Sequence, residues 1–255
     1  MNTPVSFGQK KGTPIPLPET KRIWTYSVLF GGLFWIVALL LWWQGGIDRV
    51  ILYYFNPQRV AYTPLIALSK ILSSYGMAAI TILILLYLAF SKLFPSLDAP
   101  LTVYFYTICS FGLSGIAGDL LKEVIARPRP MVTHNNDLFV LSDAVSSAIP
   151  SGHATKSIAL ILPFLLLVGN QKNIHRVFKI IITLIGVGVC FSRAALGAHH
   201  LSDVLAGIGT ALVGLPLTML FTNMVLRNVT QEKLPALSIV WGVLLIFLTL
   251  FFLVL

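Results

Sequence analysis

Charge is what this sequence has least of. Only 11% of its 255 residues are Asp, Glu, Lys or Arg, and nine of them are acidic, whereas ordinary soluble domains carry about 25% charged residues. So little charge excludes a water-soluble globule with a normal surface. Cysteine is equally scarce: Cys109 and Cys190 each fall inside an apolar run, which reads as two buried small hydrophobes and excludes a disulfide framework. No cleavable leader is expected, because the first 20 residues are polar and proline-containing and the apolar run after them is too long for a signal core. The tripeptide Asn228-Val229-Thr230 matches a glycosylation sequon, a pattern that carries little weight by itself.

What fills the space left by charge is apolar. Hydrophobic residues make up 56% of the chain, and the mean hydropathy is +0.86. Stretches free of charge cover residues 23–43, 71–90, 101–118, 204–226 and 234–255, each near the roughly 20 residues that cross a bilayer core. Two shorter stretches, 157–170 and 180–192, become long enough when extended to Ala154 and Val177. The fold class expected is all-α: a polytopic membrane helix bundle with six core transmembrane helices and a C-terminal seventh. The net charge of +9 does not point to nucleic acid, because the basic residues sit in short loops between apolar helices.

The chain divides into a mobile tail over 1–22, a transmembrane domain over 23–226, and a connection with a last membrane helix over 227–255. Between the first two spans, residues 45–62 mix Ile47, Val50, Ile51, Tyr54 and Phe55 with Asp48, Arg49, Asn56 and Arg59. That mixture suits a helix lying in the headgroup layer. Gly112, Gly115 and Gly118 offer a small face for close helix packing in the third span.

Counting crossings brings three polar clusters to one membrane face: residues 122–130, 150–153 and 192–203. The opposite face collects ten basic and three acidic residues, and the cluster face eight and six. The positive-inside bias therefore puts the N-terminus in the cytoplasm and the clusters outside it, on the periplasmic face of a bacterial inner membrane.

The cluster residues are of types that suit one chemistry. Lys122, Arg129 and Arg193 are three cations meeting at one boundary of a chain sparing with charge, and a phosphoryl group in transfer spreads negative charge over three oxygens that such cations stabilise. Ser151-Gly152 opens the fourth span, where free amides favour an anion, with Ser151 as a cap or a hydroxyl donor. His199 and Asp203, four residues apart, would share a helical face as an oriented nucleophile or base. His153 comes from another helix and suits an acid toward the departing oxygen. Single-residue explanations also exist: a lysine or arginine at a helix end often snorkels to the interface, and Asp119 and Glu123 near Lys122 balance its charge. His200 would point about 100° away from His199 on a helix, His134 reads as a solvated loop residue, and His175 falls on the opposite face.

Lys122, six residues, then Arg129-Pro130; Pro150-Ser151-Gly152-His153; and Ser192-Arg193, five residues, His199, three residues, Asp203: this order and spacing resembles the three-part signature of the type 2 phosphatidic acid phosphatase (PAP2) superfamily. The likeness runs over about residues 101–226. It implies a metal-independent, cofactor-free phosphatase in which His199 forms a phosphohistidine and Asp203 orients and charges it. His153 would protonate the leaving group and then activate water. Lys122, Arg129, Arg193, Ser151 and Gly152 would bind the phosphate. Arg127-Pro128 repeats the Arg-Pro pair two residues early; Arg129 keeps the family spacing, which leaves Arg127 as a surface or substrate-contacting charge.

The implied partners are membrane lipids and a lipid phosphate or pyrophosphate, with phosphatidylglycerophosphate, phosphatidic acid, undecaprenyl pyrophosphate and lipid A phosphates all compatible. Transfer of the phosphohistidine to another acceptor would make a lipid phosphotransferase. Two unrelated readings compete: a zinc hydrolase using His153, His199, His200 and Asp203, disfavoured by the surrounding cations, and a transporter, whose polar residues would belong nearer the bilayer midplane. The segments 45–62 and 131–149 are the expected substrate selectors. Nothing in the sequence bears on oligomeric state.

Overall fold

The protein's structure, a computed structural model, describes residues 21–55, 64–94, 100–130 and 146–254. Residues 1–20 of the expected tail over 1–22, most of the loop over 131–149 and the end of the 45–62 segment lie outside the described residues, and Lys21 and Arg22 open the first helix rather than belonging to a tail. Within them the chain is all helical: α1 (Lys21–Gln44), α2 (Gly46–Phe55), α3 (Pro64–Leu93), α4 (Thr102–Ile125), α5 (Gly152–Leu167), α6 (Asn173–Ala195), α7 (Leu201–Leu226) and α8 (Leu234–Val254).

Five of these, α1, α3, α6, α7 and α8, are long and apolar enough to cross a membrane. The other two expected core spans fall short for different reasons. With 16 residues, α5 reaches about 24 Å at 1.5 Å per residue, less than a typical hydrocarbon core. The 24-residue α4 is diluted by Tyr104, Tyr106, Thr107, Ser110 and Ser114, all buried. Both helices sit inside the bundle: α4 packs on α5, α7 and α8, and α5 also on α3, α6 and α7. Much of each helix is buried against these neighbours, while Ile116, Leu120 and Val124 of α4 stay exposed, so hydropathy alone does not select their residues. The outer helices show the converse, exposing Leu29, Leu33 and Ile36 on α1, Leu184 and Val187 on α6, and Val243 and Phe247 on α8. Such a belt of exposed apolar side chains suits acyl chains, not water.

Some polar residues of the bundle interior are matched in pairs, while the hydroxyls of Thr107, Ser110 and Ser114 have no hydrogen-bond partner among the described residues. Thr81 and Thr249 share a hydrogen bond of 3.1 Å between α3 and α8, and the Tyr106 hydroxyl donates to Asn223 between α4 and α7. At the end of α5 away from the polar clusters, Lys179 Nζ donates to the carbonyls of Leu165 at 2.7 Å and Val168 at 2.5 Å, closing carbonyls that a helix end leaves open. His175 lies at that same end, with Nδ1 2.8 Å from the Gly169 carbonyl, as the count of crossings implies. Cys109 and Cys190 are free and buried.

One expectation about small residues needs correction. Of the three glycines on α4, a Cβ at Gly115 or Gly118 would meet α5, but one at Gly112 would meet nothing within 4 Å. A spacing of three turns the helix by 300°, so the face drifts and only two of the three share an interface. The helix also continues past Gly118 to Ile125, carrying Asp119, Lys122 and Glu123 on its last turns.

Close backbone crossings occur where α1 meets α7, around Gly31 and Gly209, and where α5 meets α7. A Cβ at Gly207 would lie 2.7 Å from the Ser151 carbonyl oxygen and 2.9 Å from Ala154 Cβ. Backbone atoms cannot rotate away as a long side chain can, so Gly207→Ala must force the two helices apart. We expect a loss of about 1–3 kcal/mol, read as a lower thermal unfolding midpoint in detergent, with activity falling alongside because Ser151 is displaced.

Candidate active site

Four helix ends deliver the polar clusters to one place. At the end of α4, Ala126 takes a left-handed conformation (φ 50°) and its N–H returns to the Lys122 carbonyl, which stops the helix; Arg127 and Arg129 then turn inward and Pro128 stays exposed. The Ala148 N–H donates to the Arg127 carbonyl at 2.8 Å, joining this turn to the segment before α5. The Ser151 N–H donates to the Asp203 carbonyl at 2.9 Å, fixing the start of α5 against the start of α7. Between α6 and α7, Gly197 provides the positive φ of 70° that the turn requires. The N–H groups of Ala198 and His199 both donate to the Arg193 carbonyl at 3.1 Å. One backbone oxygen thus sets the reach from Arg193 to His199.

The cations are held by other parts of the chain. Lys122 Nζ lies 3.0 Å from Asp119 Oδ1, and a Cβ at Gly152 would come within 3.0 Å of that ammonium. Lys122 therefore touches the first residue of α5, and the missing side chain there makes the approach possible. Arg129 is buried; its Nε donates to the Ser146 carbonyl at 2.7 Å and its Nη2 to Ser146 Oγ at 2.8 Å. Arg193 Nη1 donates to Ser73 Oγ on α3, while its Nε has no hydrogen-bond partner among the described residues. Burial lowers the proton affinity of Arg129, and the Asp203 carboxylate works against that shift.

His199 is 2% exposed, with Nδ1 3.6 Å from Asp203 Oδ2. Burial pushes its pKa down to about 4; the Asp203 carboxylate opposes the shift, while the Arg193 and Arg129 guanidinium groups add to it. The imidazole is therefore neutral at ordinary pH, with one nitrogen toward the carboxylate and Nε2 left for chemistry. His153, partly buried in the first turn of α5, feels the charges of Arg193, Lys156 and Lys122 and of the His199 ring. Lys122, Arg129, Arg193, His153, His199 and Asp203 are thus brought together, with Ser151 and Gly152 at the helix end between them.

Three details differ from expectation, and for Ser151 one of two alternatives is left. His199 does not share a helical face with Asp203: α7 begins at Leu201, with His200 as its N-cap, and the turn rather than helical periodicity carries His199 to the carboxylate. His200 does not point away; its Nδ1 is also 3.6 Å from Asp203 Oδ2, and its backbone N–H donates to that oxygen at 2.9 Å. Ser151 occupies the N-cap of α5 but makes no capping bond. Its Oγ is buried without a hydrogen-bond partner among the described residues, and its N–H is taken by Asp203, so the hydroxyl is what it has to offer a ligand. Arg127 is not a surface charge but is 7% exposed and ion-paired to Asp203 and Asp48.

A model of the PAP2 superfamily matches residues 100–230. The chain belongs to the PAP2 superfamily. Among curated relatives, lipid A 1-phosphatase of Rhizobium etli is 30% identical over 109 residues, 41% of this chain and 43% of the relative. Its counterpart in Rhizobium johnstonii is 29% identical over 108 residues, 41% and 40% of the two chains. The matched part thus spans less than half the length of these relatives. The fold is similar to that of the transmembrane PAP2 type phosphatidylglycerolphosphate phosphatase from Bacillus subtilis, with a TM-score of 0.56 and 21% identity, covering 80% of this chain and 100% of the other. The described bundle is therefore an integral-membrane PAP2 fold.

Sequence reasoning passed over three residues at this site. Lys156 is buried one helical turn beyond His153, 3.7 Å from Asp119 Oδ2, so Asp119 holds two ammonium groups rather than balancing Lys122 alone. A lysine at i+3 from a candidate acid, inside an apolar helix, was the available signal. Ser146 holds Arg129. Asp48 was visible only as one of nine acidic residues in an otherwise amphipathic helix.

Proposed function

We propose that this protein is a lipid phosphatase that hydrolyses a phosphomonoester or terminal pyrophosphate of an amphiphile through a phosphohistidine on His199. The observation that carries this reading is the meeting of a neutral, carboxylate-backed imidazole with a second histidine from the start of α5 and three cations from the ends of α4 and α6. His199 Nε2 attacks phosphorus, and the bond to the lipid oxygen breaks. His153 gives its proton to that oxygen. Asp203 balances the positive charge that then develops on the phosphorylated ring. Lys122, Arg129 and Arg193 hold the equatorial oxygens, helped by the Ser151 hydroxyl and the open amide of Gly152. His153, now neutral, takes a proton from water, whose oxygen attacks phosphorus. The phosphorus–nitrogen bond breaks, inorganic phosphate leaves, and His199 returns to its neutral form.

The position of the cluster at one end of an apolar bundle supports a substrate anchored in the bilayer, its headgroup entering from the outer leaflet. The likeness to lipid A 1-phosphatases supports a phosphorylated glycolipid as the first compound to try. Purified protein is to be offered lipid A, phosphatidylglycerophosphate, phosphatidic acid and undecaprenyl pyrophosphate in mixed micelles, with released phosphate as the readout and His199→Ala as the blank. Equal hydrolysis of soluble and lipid phosphates would remove the membrane-substrate part of the proposal. Orientation, with the N-terminus cytoplasmic and the site on the periplasmic face of the inner membrane, is tested by reporters at Met1 and in the 131–149 loop.

No step of this scheme calls on a metal, and a cluster of cations repels a dication at short range. Phosphate release is expected to persist in excess chelator, and loss of activity with EDTA, restored by zinc, would favour the metal hydrolase instead.

A further inference from the structure

Arg127 differs from the other cations in having both terminal nitrogens committed to acceptors of its own chain. Nη1 donates to Asp203 Oδ1 and to Ser202 Oγ, each at 2.6 Å, and Nη2 to Asp48 Oδ2 at 3.2 Å. Its guanidinium carbon lies 4.9 Å from the centre of the Trp42 ring. Asp48 in turn accepts the Ser202 N–H at 2.9 Å and the Ser202 hydroxyl. These groups are enclosed: Asp48 is 1% exposed and Asp203 0%.

The geometry divides the work of the Asp203 carboxylate. Oδ1 is held by Arg127, and Oδ2 faces His199 while accepting the His200 N–H. Two carboxylates around one guanidinium leave one unit of negative charge. Arg129 lies close enough to Asp203 to feel that charge, and the charge is matched directly, on the adjoining ring, when His199 becomes a phosphohistidine cation. A buried charge set of this kind favours the charged intermediate over the resting state. Without Arg127, Asp48 and Asp203 would face each other across Ser202 as two buried like charges, and one would take up a proton or turn away. Without Asp48, Arg127 would pair fully with Asp203 and weaken its hold on His199.

We propose that Arg127 is a positioning residue that locks Asp203 with one oxygen toward His199, and that Asp48, reaching in from the interfacial helix α2, is the counterion that sets how strongly it does so. This assigns the duplicated Arg-Pro pair two separate tasks, with Arg129 facing the phosphate and Arg127 facing the carboxylate behind the nucleophile. It also makes α2, whose outer side exposes Ile47, Val50 and Tyr54, part of the reaction machinery rather than a lipid-facing connection. The proposal rests on the reading of His199 and Asp203 given above.

The test measures kcat and KM for the purified full chain, with lipid A and with phosphatidic acid in mixed micelles. The variants are His199→Ala, Arg127→Gln, Arg127→Lys, Asp48→Asn and the double Arg127→Gln/Asp48→Asn, with thermal unfolding in parallel. Arg127→Gln is expected to lower kcat about 10²-fold, the scale of a misplaced catalytic group, with KM little changed. Arg127→Lys should recover part of that loss. The double variant should be no worse than Arg127→Gln, because both act through one network. A raised KM with kcat preserved would make Arg127 a phosphate ligand and overturn the proposal, as would additive losses or wild-type kcat in Arg127→Gln. If Arg127→Gln shows no unfolding transition, wild-type kcat in both Arg127→Lys and Asp48→Asn overturns it. A wild type that releases no phosphate, or an active His199→Ala, sinks the underlying reading instead.

Discussion

Phosphate release is expected to fall about 10³-fold or more when His199 is replaced by alanine, with binding of the lipid little affected. The loss is this large because no neighbour can take over. His153 belongs to a different helix, on the leaving-group side of the proposed attack. His200 reaches the same Asp203 oxygen as His199, 3.6 Å from Oδ2 in each case, so distance to the carboxylate does not choose between the two rings. What separates them is the surroundings of His199, whose charge state is governed by Arg193 and Arg129 as well as by Asp203, whereas the backbone of His200 starts α7. His200→Ala should therefore cost less activity than His199→Ala, and the reverse order would exchange their roles. The wild-type pH profile supplies a second check. Because burial and the two guanidinium groups hold the His199 pKa down to about 4, the ring stays neutral and nucleophilic as pH falls through the ordinary histidine range near 6.5. The acid limb of kcat/KM, which reports the free enzyme, should lie well below that range. A limb at about 6.5 would mean that the nucleophile is an ordinary, solvated imidazole.

How much of this could be read in advance depended on how far each residue's partner lies along the chain. The apolar runs marked out the bundle because the bilayer demands long helices whatever their neighbours. The three cations and both histidines that the structure brings together were legible because motif spacing is local and each motif lies at a helix end or across one short turn. Arg127 was misread for the opposite reason: its partners Asp48 and Asp203 lie 79 and 76 residues away, and nothing local distinguishes a buried Arg-Pro from an exposed one. The same holds for Asp48, whose neighbours in α2 describe an interfacial helix while its own side chain accepts the N–H and hydroxyl of Ser202. His199 shows a third kind of limit. The spacing to Asp203 was correctly taken to mean proximity, but the contact is made by a glycine-containing turn before the helix, not by the helical repeat. Spacing is consistent with more than one backbone path.

The two-step scheme gives His153 two tasks, and replacing it with alanine should separate them. With a lipid phosphate, whose alkoxide is a poor leaving group, the first step needs the proton, and turnover should drop by about 10²–10⁴-fold, the range of general acid catalysis. With p-nitrophenyl phosphate the departing phenolate needs little protonation, so His199 can still be phosphorylated. Hydrolysis of the intermediate, however, still lacks the base that activates water. The expected signature is a burst of nitrophenol close to one equivalent per enzyme, then slow turnover, with acid-labile phosphate retained on the protein. The cations bear on this outcome. Burial, and then the charges of Arg193, Lys156 and Lys122, disfavour a proton on His153 in the free enzyme; a bound phosphate dianion would oppose those charges. On this scheme His153 would become an acid when substrate arrives, and water outside a loaded site would meet no activated base. A variant that turned over both substrates with equal losses and no burst would place His153 among the phosphate ligands instead. A burst that survived in His199→Ala would put the covalent phosphate on another residue.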